Sequence, residues 1–285
     1  MTTMTKKTYV SETYFEYTMT SHNQLDYRLL IANPTDAPPA DGYAVIYVLD
    51  GDALFPTLAE AVKLQTRKPK GYEPILVIGI GYPSKEPFDM ERRCNDFTLP
   101  VSDGKLPARP DGTPWPPNGK ANEFLDFIEH ELMPAVEKEW PINKKKQAVV
   151  GHSLGGLFTL YALCAKPHLF SHIVAGSPSV WWADNAVLKV IDQFSEDWNG
   201  QHAINLLLTI GANELPDMLE GADLAAERLK RLSDQNIYTN YVKFDEEDHV
   251  SVLPCMLGRL PRFLDTKLIK KPSSFYKSTW LFDNY

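Results

Sequence analysis

The chain has 285 residues, 44% hydrophobic and 23% charged, with a formal net charge of −8. This is the composition of an ordinary soluble globular protein, long enough for one large α/β domain or two smaller ones that bury about three-quarters of the unfolded surface. The acidic balance argues against nucleic acid or an anionic membrane as bulk partners, though not against a local basic patch, and no apolar run exceeds about eight residues, far short of a bilayer span.

In chain order, Met1-Thr2-Thr3-Met4-Thr5-Lys6-Lys7 leads into alternating residues with no apolar h-region, so no signal peptide is expected. Tyr14 to Thr20 and Leu25 to Ile31 alternate in polarity around Ser21-His22-Asn23-Gln24, which predicts a β-hairpin. A proline-containing loop, 33–42, then gives way to Tyr43-Ala44-Val45-Ile46-Tyr47-Val48-Leu49, and Pro74 to Ile80 is a second near-continuous apolar run. Gln147 to Val150, His172 to Ala175, Asn205 to Ile210 and Ile237 to Phe244 follow. Helices are predicted over 53–67, 122–139, 154–166, 184–195, 217–235 and 250–266. Apolar runs alternating with helices predict a mostly parallel sheet of about eight strands, covered on both faces. A single three-layer α/β domain is therefore expected over residues 1–285.

One stretch breaks this rhythm. Between 96 and 122 stand Pro100, Pro107, Pro110, Pro114, Pro116 and Pro117, together with Gly104, Gly112 and Gly119. A loop of that length inside a compact domain is usually functional, and it is expected over or beside the active site. Cys94, Cys164 and Cys255 are odd in number and fit no metal pattern. They read as reduced, mostly buried thiols of a cytoplasmic protein, and neither a metal nor another cofactor is expected.

The chemistry centres on Gly151-His152-Ser153-Leu154-Gly155, preceded by the strand-like Ala148-Val149-Val150. This is the nucleophile-elbow pattern, in which glycines let a strand turn tightly into a helix and the serine projects at its tip. The pentapeptide alone arises by chance in about one chain in ten of this length, so context must decide. Where such an elbow carries a triad, the order is Ser, acid, His. His22, His130 and His152 come too early; His168 and His172 follow the elbow helix too closely, and His202 only precedes the run at 205–210. His249 remains, after a strand and the acidic loop Asp245-Glu246-Glu247-Asp248.

Glu214, just past the strand that ends near Gly211, is the expected acid. Asp217, which reads as a helix N-cap or first-turn acid, and Asp245 and Asp248 are the alternatives. Two backbone N–H groups are needed for an oxyanion hole. One is expected from Leu154, the other from the loop Asp50-Gly51 after the first long strand.

Three segments carry a resemblance: Tyr47-Val48-Leu49-Asp50-Gly51, Gly151-His152-Ser153-Leu154-Gly155-Gly156-Leu157-Phe158, and Gly176-Ser177-Pro178-Ser179-Val180-Trp181-Trp182. Together the chain resembles the esterase D-like family of α/β-hydrolases, which includes S-formylglutathione hydrolases, feruloyl esterases, mycolyltransferases and siderophore esterases. The block Pro87 to Thr98, with Arg92-Arg93-Cys94-Asn95-Asp96-Phe97-Thr98, is similar to the Arg-x-x-Asp-Tyr/Phe-Thr segment of the enterobactin and bacillibactin esterases. That likeness implies hydrolysis of the trilactone of a catecholate siderophore, releasing iron inside the cell. It also implies Ser153 as nucleophile, His249 as base, and Asp50-Gly51 with Leu154 as oxyanion hole. Some members work with a Ser–His pair alone, which leaves the role of Glu214 open.

A ferric tris-catecholate is a trianion, and Arg92, Arg93, Lys105 and Arg109 in or beside the proline-rich loop are candidates to bind it. Trp115, Trp181 and Trp182 are candidates to stack on its rings. A general carboxylesterase or thioesterase is the alternative within this chemistry; a hydrolase-fold protein that binds without catalysis is the alternative outside it.

Overall fold

The structure is a computed structural model, and it describes residues 11–69, 71–101, 106–109 and 112–265. The N-terminal heptad, Lys105, Gly104, Pro110 and residue 266 lie outside the described residues.

The hairpin forms from β1 (Tyr14–Thr20) and β2 (Asp26–Ala32), paired antiparallel. β3 (Tyr43–Leu49) and β4 (Ile75–Gly81) are buried at every position, which is why both read as unbroken apolar runs. Along β3 the side chains alternate between two cores. Val45, Tyr47 and Leu49 join one packed with Phe97, Phe124 and Phe158. Ile46 and Val48 join the other, with Leu58, Met256 and Leu260.

The remaining strands are β5 (Ile142–His152), β6 (His172–Gly176), β7 (Ile204–Gly211) and β8 (Ile237–Phe244). One eight-stranded sheet results, in the order β1-β2-β4-β3-β5-β6-β7-β8, parallel from β4 through β8. The chain leaves β3 for β4 on one side and returns to β5 on the other. The crevice at such a switch point, beyond the carboxyl ends of the strands, is where α/β sheets build their sites. Asp50 and Ser153 stand there, one residue past β3 and β5.

Helix α1 (Gly51–Gln65) covers one face, with α8 (Val252–Leu257) and α9 (Leu260–Asp265) beside it. The opposite face carries α2 (Met90–Phe97), α3 (Ala121–Phe127), α4 (Met133–Glu139), α5 (Leu154–Ala165), α6 (Trp182–Asp197) and α7 (Pro216–Lys230). α3 and α4 run together through a π-turn at Ile128–Leu132. α6 opens with a left-handed turn at Ala183, Asp184 and Asn185, where φ is 53° to 57°.

α2 was not expected, because its polar composition hides two charged residues that are buried, Arg93 and Asp96. Two expected helices are interrupted. Residues 217–235 end as α7 at Lys230 with a separate 3₁₀ turn at Ser233–Gln235, and 250–266 divides into α8 and α9. No helix among the described residues is long and apolar enough to cross a membrane.

Candidate active site

Ser153 joins β5 to α5 with φ 59° and ψ −117°, a conformation costing on the order of 1–3 kcal/mol that persists only where the surroundings impose it. The surroundings here are backbone. A Cβ on Gly151 would lie 2.2 Å from the carbonyl oxygen of Gly155, and one on Gly156 would lie 2.6 Å from that of Gly176. At Gly155 the nearest atom would be 3.5 Å away. The tight approach expected of Gly151 and Gly155 is therefore made by Gly151 and Gly156. The Ser153 N–H donates to Gly176 O at 2.9 Å, and its hydroxyl lies 3.2 Å from the Ser179 hydroxyl.

Glu214 and His249 meet at the ends of β7 and β8. Glu214 follows β7 by three residues, its side chain fully enclosed, and its Oε2 lies 2.7 Å from His249 Nδ1. Its Oε1 accepts from the Ser177 hydroxyl at 2.5 Å and from the Gly211 N–H at 2.9 Å. Burial pushes the Glu214 carboxyl up, but the donors His249, Ser177 and Gly211 outweigh it and hold the group below its ordinary value. An ionised acid at Nδ1 places the proton on that nitrogen and leaves Nε2 free to act as a base.

The alternatives for the acid are all exposed: Asp217 in the first turn of α7, Asp245, and Asp248, which accepts from the Val250 and Ser251 N–H groups. The His152 ring packs against that of His249 at a tilt of 46°, with centroids 4.5 Å apart. Burial, then the neighbouring His249 and Arg93, lower it to about 3, so it stays neutral beside His249.

On the other side, Asp50 takes a left-handed conformation, φ 51° and ψ 49°, and caps α1. Gly51 sits against β4, where a Cβ would meet the Gly79 carbonyl carbon at 2.8 Å. The first-turn N–H groups of α1 and α5, Gly51 and Leu154 among them, have no partner within their helices.

The residues expected to hold substrate are placed differently. Arg93 is buried, its Nε donating to Asp50 Oδ1 at 2.8 Å and Nη2 to His152 O at 3.3 Å. Arg92 lies over the rings of Tyr27 and Tyr82, donates to Asp26 O at 2.9 Å and pairs with Asp96 at 3.4 Å. Both guanidinium groups are thus engaged by the protein's own carboxylates. Trp182 is fully buried, its indole N–H donating to Leu99 O at 3.1 Å. Trp181 and Trp115 pack at 6.0 Å and are only partly covered, and Arg109 lies over Trp115.

Four features escaped the sequence. The Ser177 hydroxyl bonds Glu214 and the Ser179 hydroxyl lies against Ser153, and Leu215 and Val250, next in sequence to Glu214 and His249, are 73% and 67% exposed. The serines stand in the quoted Ser-Pro-Ser segment, but only geometry assigns their hydroxyls. Among the described residues, Asp126, Glu129 and His130 have the spacing of a metal site, yet Lys166 pairs with both carboxylates. A cavity of about 330 Å³ is lined by Ser21, Tyr27, Asn95, Asp96, Lys120 and Phe124, among others, and by none of Ser153, Glu214 or His249.

Comparison with known proteins agrees with this architecture. The family profile described as "Putative esterase" matches residues 21–251. The chain is 43% identical over 252 residues to the ferri-bacillibactin esterase BesA of Bacillus subtilis, covering 86% of this chain and 87% of that protein. It is 32% identical to a siderophore enterobactin esterase of Emericella nidulans, covering 75% and 79%. The crystal structure of the BES protein from Bacillus cereus superposes with a TM-score of 0.86 at 36% identity, over 93% of this chain and 100% of that one. The chain belongs to the Putative esterase family, carboxylic ester hydrolases of the α/β-hydrolase fold.

Proposed function

We propose that the protein is a serine esterase that hydrolyses the lactone esters of a catecholate siderophore such as bacillibactin or enterobactin, through an acyl-enzyme on Ser153. The observation that carries the catalytic part is the fully enclosed Glu214 carboxylate, 2.7 Å from His249 Nδ1, at the strand ends flanking the elbow. The 43% identity to a ferri-bacillibactin esterase supports the substrate class.

In this reading His249 Nε2 takes the Ser153 proton as Oγ attacks the lactone carbonyl. The oxyanion is held by N–H groups of Leu154 and the Asp50-Gly51 turn. Collapse releases the serine or threonine alkoxide of the ring, which takes its proton from the His249 imidazolium. Water then repeats the sequence on the acyl-enzyme. Trp115, among the described residues of the proline-rich stretch, packs on Trp181 and Trp182, two and three residues after the Ser179 whose hydroxyl faces Ser153, which supports a place for that stretch beside the site. Cys94, Cys164 and Cys255, free of disulfides, support a cytoplasmic setting.

A second reading, a carboxylesterase for small neutral acyl groups, is favoured by one observation: Arg92 and Arg93 are already paired with Asp96 and Asp50. Steady-state turnover of ferric and iron-free trilactone, followed by mass spectrometry and set beside short p-nitrophenyl esters, separates the two. Hydrolysis of the p-nitrophenyl esters alone removes the siderophore reading. Ser153→Ala is expected to abolish turnover and fluorophosphonate labelling, and a wild type that does not label overturns the nucleophile assignment.

A further inference from the structure

The side chains of the Arg93–Asp50 pair transfer no proton in the reaction, yet they touch both arms of the oxyanion hole. Asp50 ends the turn after β3 and Arg93 comes from α2; their side chains are 0% and 6% exposed. A guanidinium presents donors in a rigid planar fork. Here that fork joins two acceptors at the carboxyl ends of different strands: Asp50 Oδ1, just past β3, at 2.8 Å and the carbonyl of His152, the last residue of β5, at 3.3 Å. The second carboxylate oxygen, Asp50 Oδ2, is buried and has no hydrogen-bond partner. It lies 3.5 Å from where a Cβ on Gly155 would stand, in the first turn of the elbow helix.

A carboxylate at that place is favoured by the positive end of the helix, and it competes for the field that the reaction's oxyanion needs. Left without its cation, it would oppose the developing charge and release the strained left-handed backbone that aims the β3–α1 turn.

We infer that Arg93 is a positioning residue for the oxyanion hole, cross-linking its two arms and neutralising Asp50, and that it does not bind substrate. The inference rests on Ser153 being the nucleophile. It requires that loss of Arg93 weaken the transition state and leave ground-state binding of a small neutral ester alone.

The test uses the full-length protein with p-nitrophenyl acetate, which has no charge for an arginine to bind, and an alkyl boronic acid as a mimic of the tetrahedral oxyanion. Arg93→Met is expected to lower kcat about 10²- to 10³-fold, the range for losing a hole donor, with KM within threefold. Boronate affinity should fall in parallel. Adding Asp50→Asn to Arg93→Met removes the stranded carboxylate and should restore kcat at least tenfold, a coupling that independent structural damage would not produce. Arg93→Lys keeps the charge but not the fork, and its loss is expected at about tenfold; it carries the test if Arg93→Met fails to fold. A kcat within threefold of wild type, a change confined to KM, or no recovery in the double variant overturns the inference. A wild type that labels with fluorophosphonate while Arg93→Lys labels equally fast overturns the clamp alone; a wild type that does not label overturns the nucleophile and the clamp together.

Discussion

Two buried carboxylates stand on either side of Ser153, and they solve burial in opposite ways. Glu214, past β7, receives three donors on its two oxygens, from His249, Ser177 and Gly211, and is held below its ordinary pKa. Asp50, past β3, has a single ionic partner in Arg93 and one oxygen without a hydrogen bond; burial pushes it above its ordinary value despite the arginine. A buried charge is tolerated when hydrogen bonds replace water on all sides, and is costly when they do not. The satisfied carboxylate is suited to orienting an imidazole and stabilising its charge. The half-satisfied one is suited to holding two pieces of backbone together, because removing its partner is expensive.

The contrast breaks most sharply at Glu214. Glu214→Gln keeps shape and removes charge, and an amide can present its N–H to His249 Nδ1 and select the wrong tautomer. A loss of kcat of about 10²- to 10⁴-fold is expected, with KM nearly unchanged, measured on p-nitrophenyl acetate. A loss below about tenfold would mean the site works as a Ser–His pair, and the difference between the two carboxylates would carry no catalytic meaning.

Glycines next to each acid sharpen the comparison. A Cβ on Gly211, whose N–H holds Glu214, would lie 2.4 Å from Glu247 O and 2.9 Å from Asp248 O. Gly211→Ala must therefore push the loop that carries His249, and kcat is expected to fall about 30-fold, with a stability loss of about 1–3 kcal/mol. Gly155→Ala, beside Asp50, meets only ordinary contacts from 3.5 Å outward. It is expected to change stability by less than about 1 kcal/mol in thermal unfolding. Equal effects would show that the two flanks are equally rigid.

Ser177→Ala removes one charge-assisted donor from Glu214. At about 1.5 kcal/mol for such a bond, kcat is expected to fall roughly tenfold, and the variant should reach half-maximal rate at the same ester concentration as wild type. Ser179→Ala, which touches Ser153 only through a hydroxyl at 3.2 Å, should cost less.

Much of this arrangement was legible because the residues involved obey local rules. β3, β4 and β7 are buried throughout, so they appear as unbroken apolar runs. His249 was left by chain order, and Glu214 by its place after a strand end. What stayed hidden depends on tertiary partners. α2 carries Arg93 and Asp96 inside the protein, so its charge pattern reads as a surface loop; the sign that marks it is Asp89, whose carboxylate accepts from the Arg92 N–H at 3.0 Å as an N-cap. Arg92 and Arg93 looked like free cations because their acceptors, Asp96 apart, lie 43 to 66 residues away. Trp182 looked like a stacking platform, yet its indole is held by Leu99 O, 83 residues distant.

The smallest expected effect is also the most direct comparison of the two acids, because it reads both in one assay. Glu214 has a folded-state pKa below its ordinary 4.5. The unfolded chain therefore binds more protons in that window, and the stability from Glu214 is present above about pH 4.5 and lost as pH falls through the folded value. Asp50 has a folded-state pKa above its ordinary 3.8, so the folded state holds the extra proton and stability declines as pH rises from 3.8 through the folded value. Thermal unfolding midpoints between about pH 3 and pH 6, taken as wild type minus variant, should run in opposite directions. For Glu214→Gln the difference grows with pH; for Asp50→Asn it shrinks, on top of a constant cost from the Arg93 left unpaired. Parallel curves would mean that Arg93 satisfies Asp50 as fully as three donors satisfy Glu214, and the division of labour between orienting acid and backbone clamp would have no electrostatic basis.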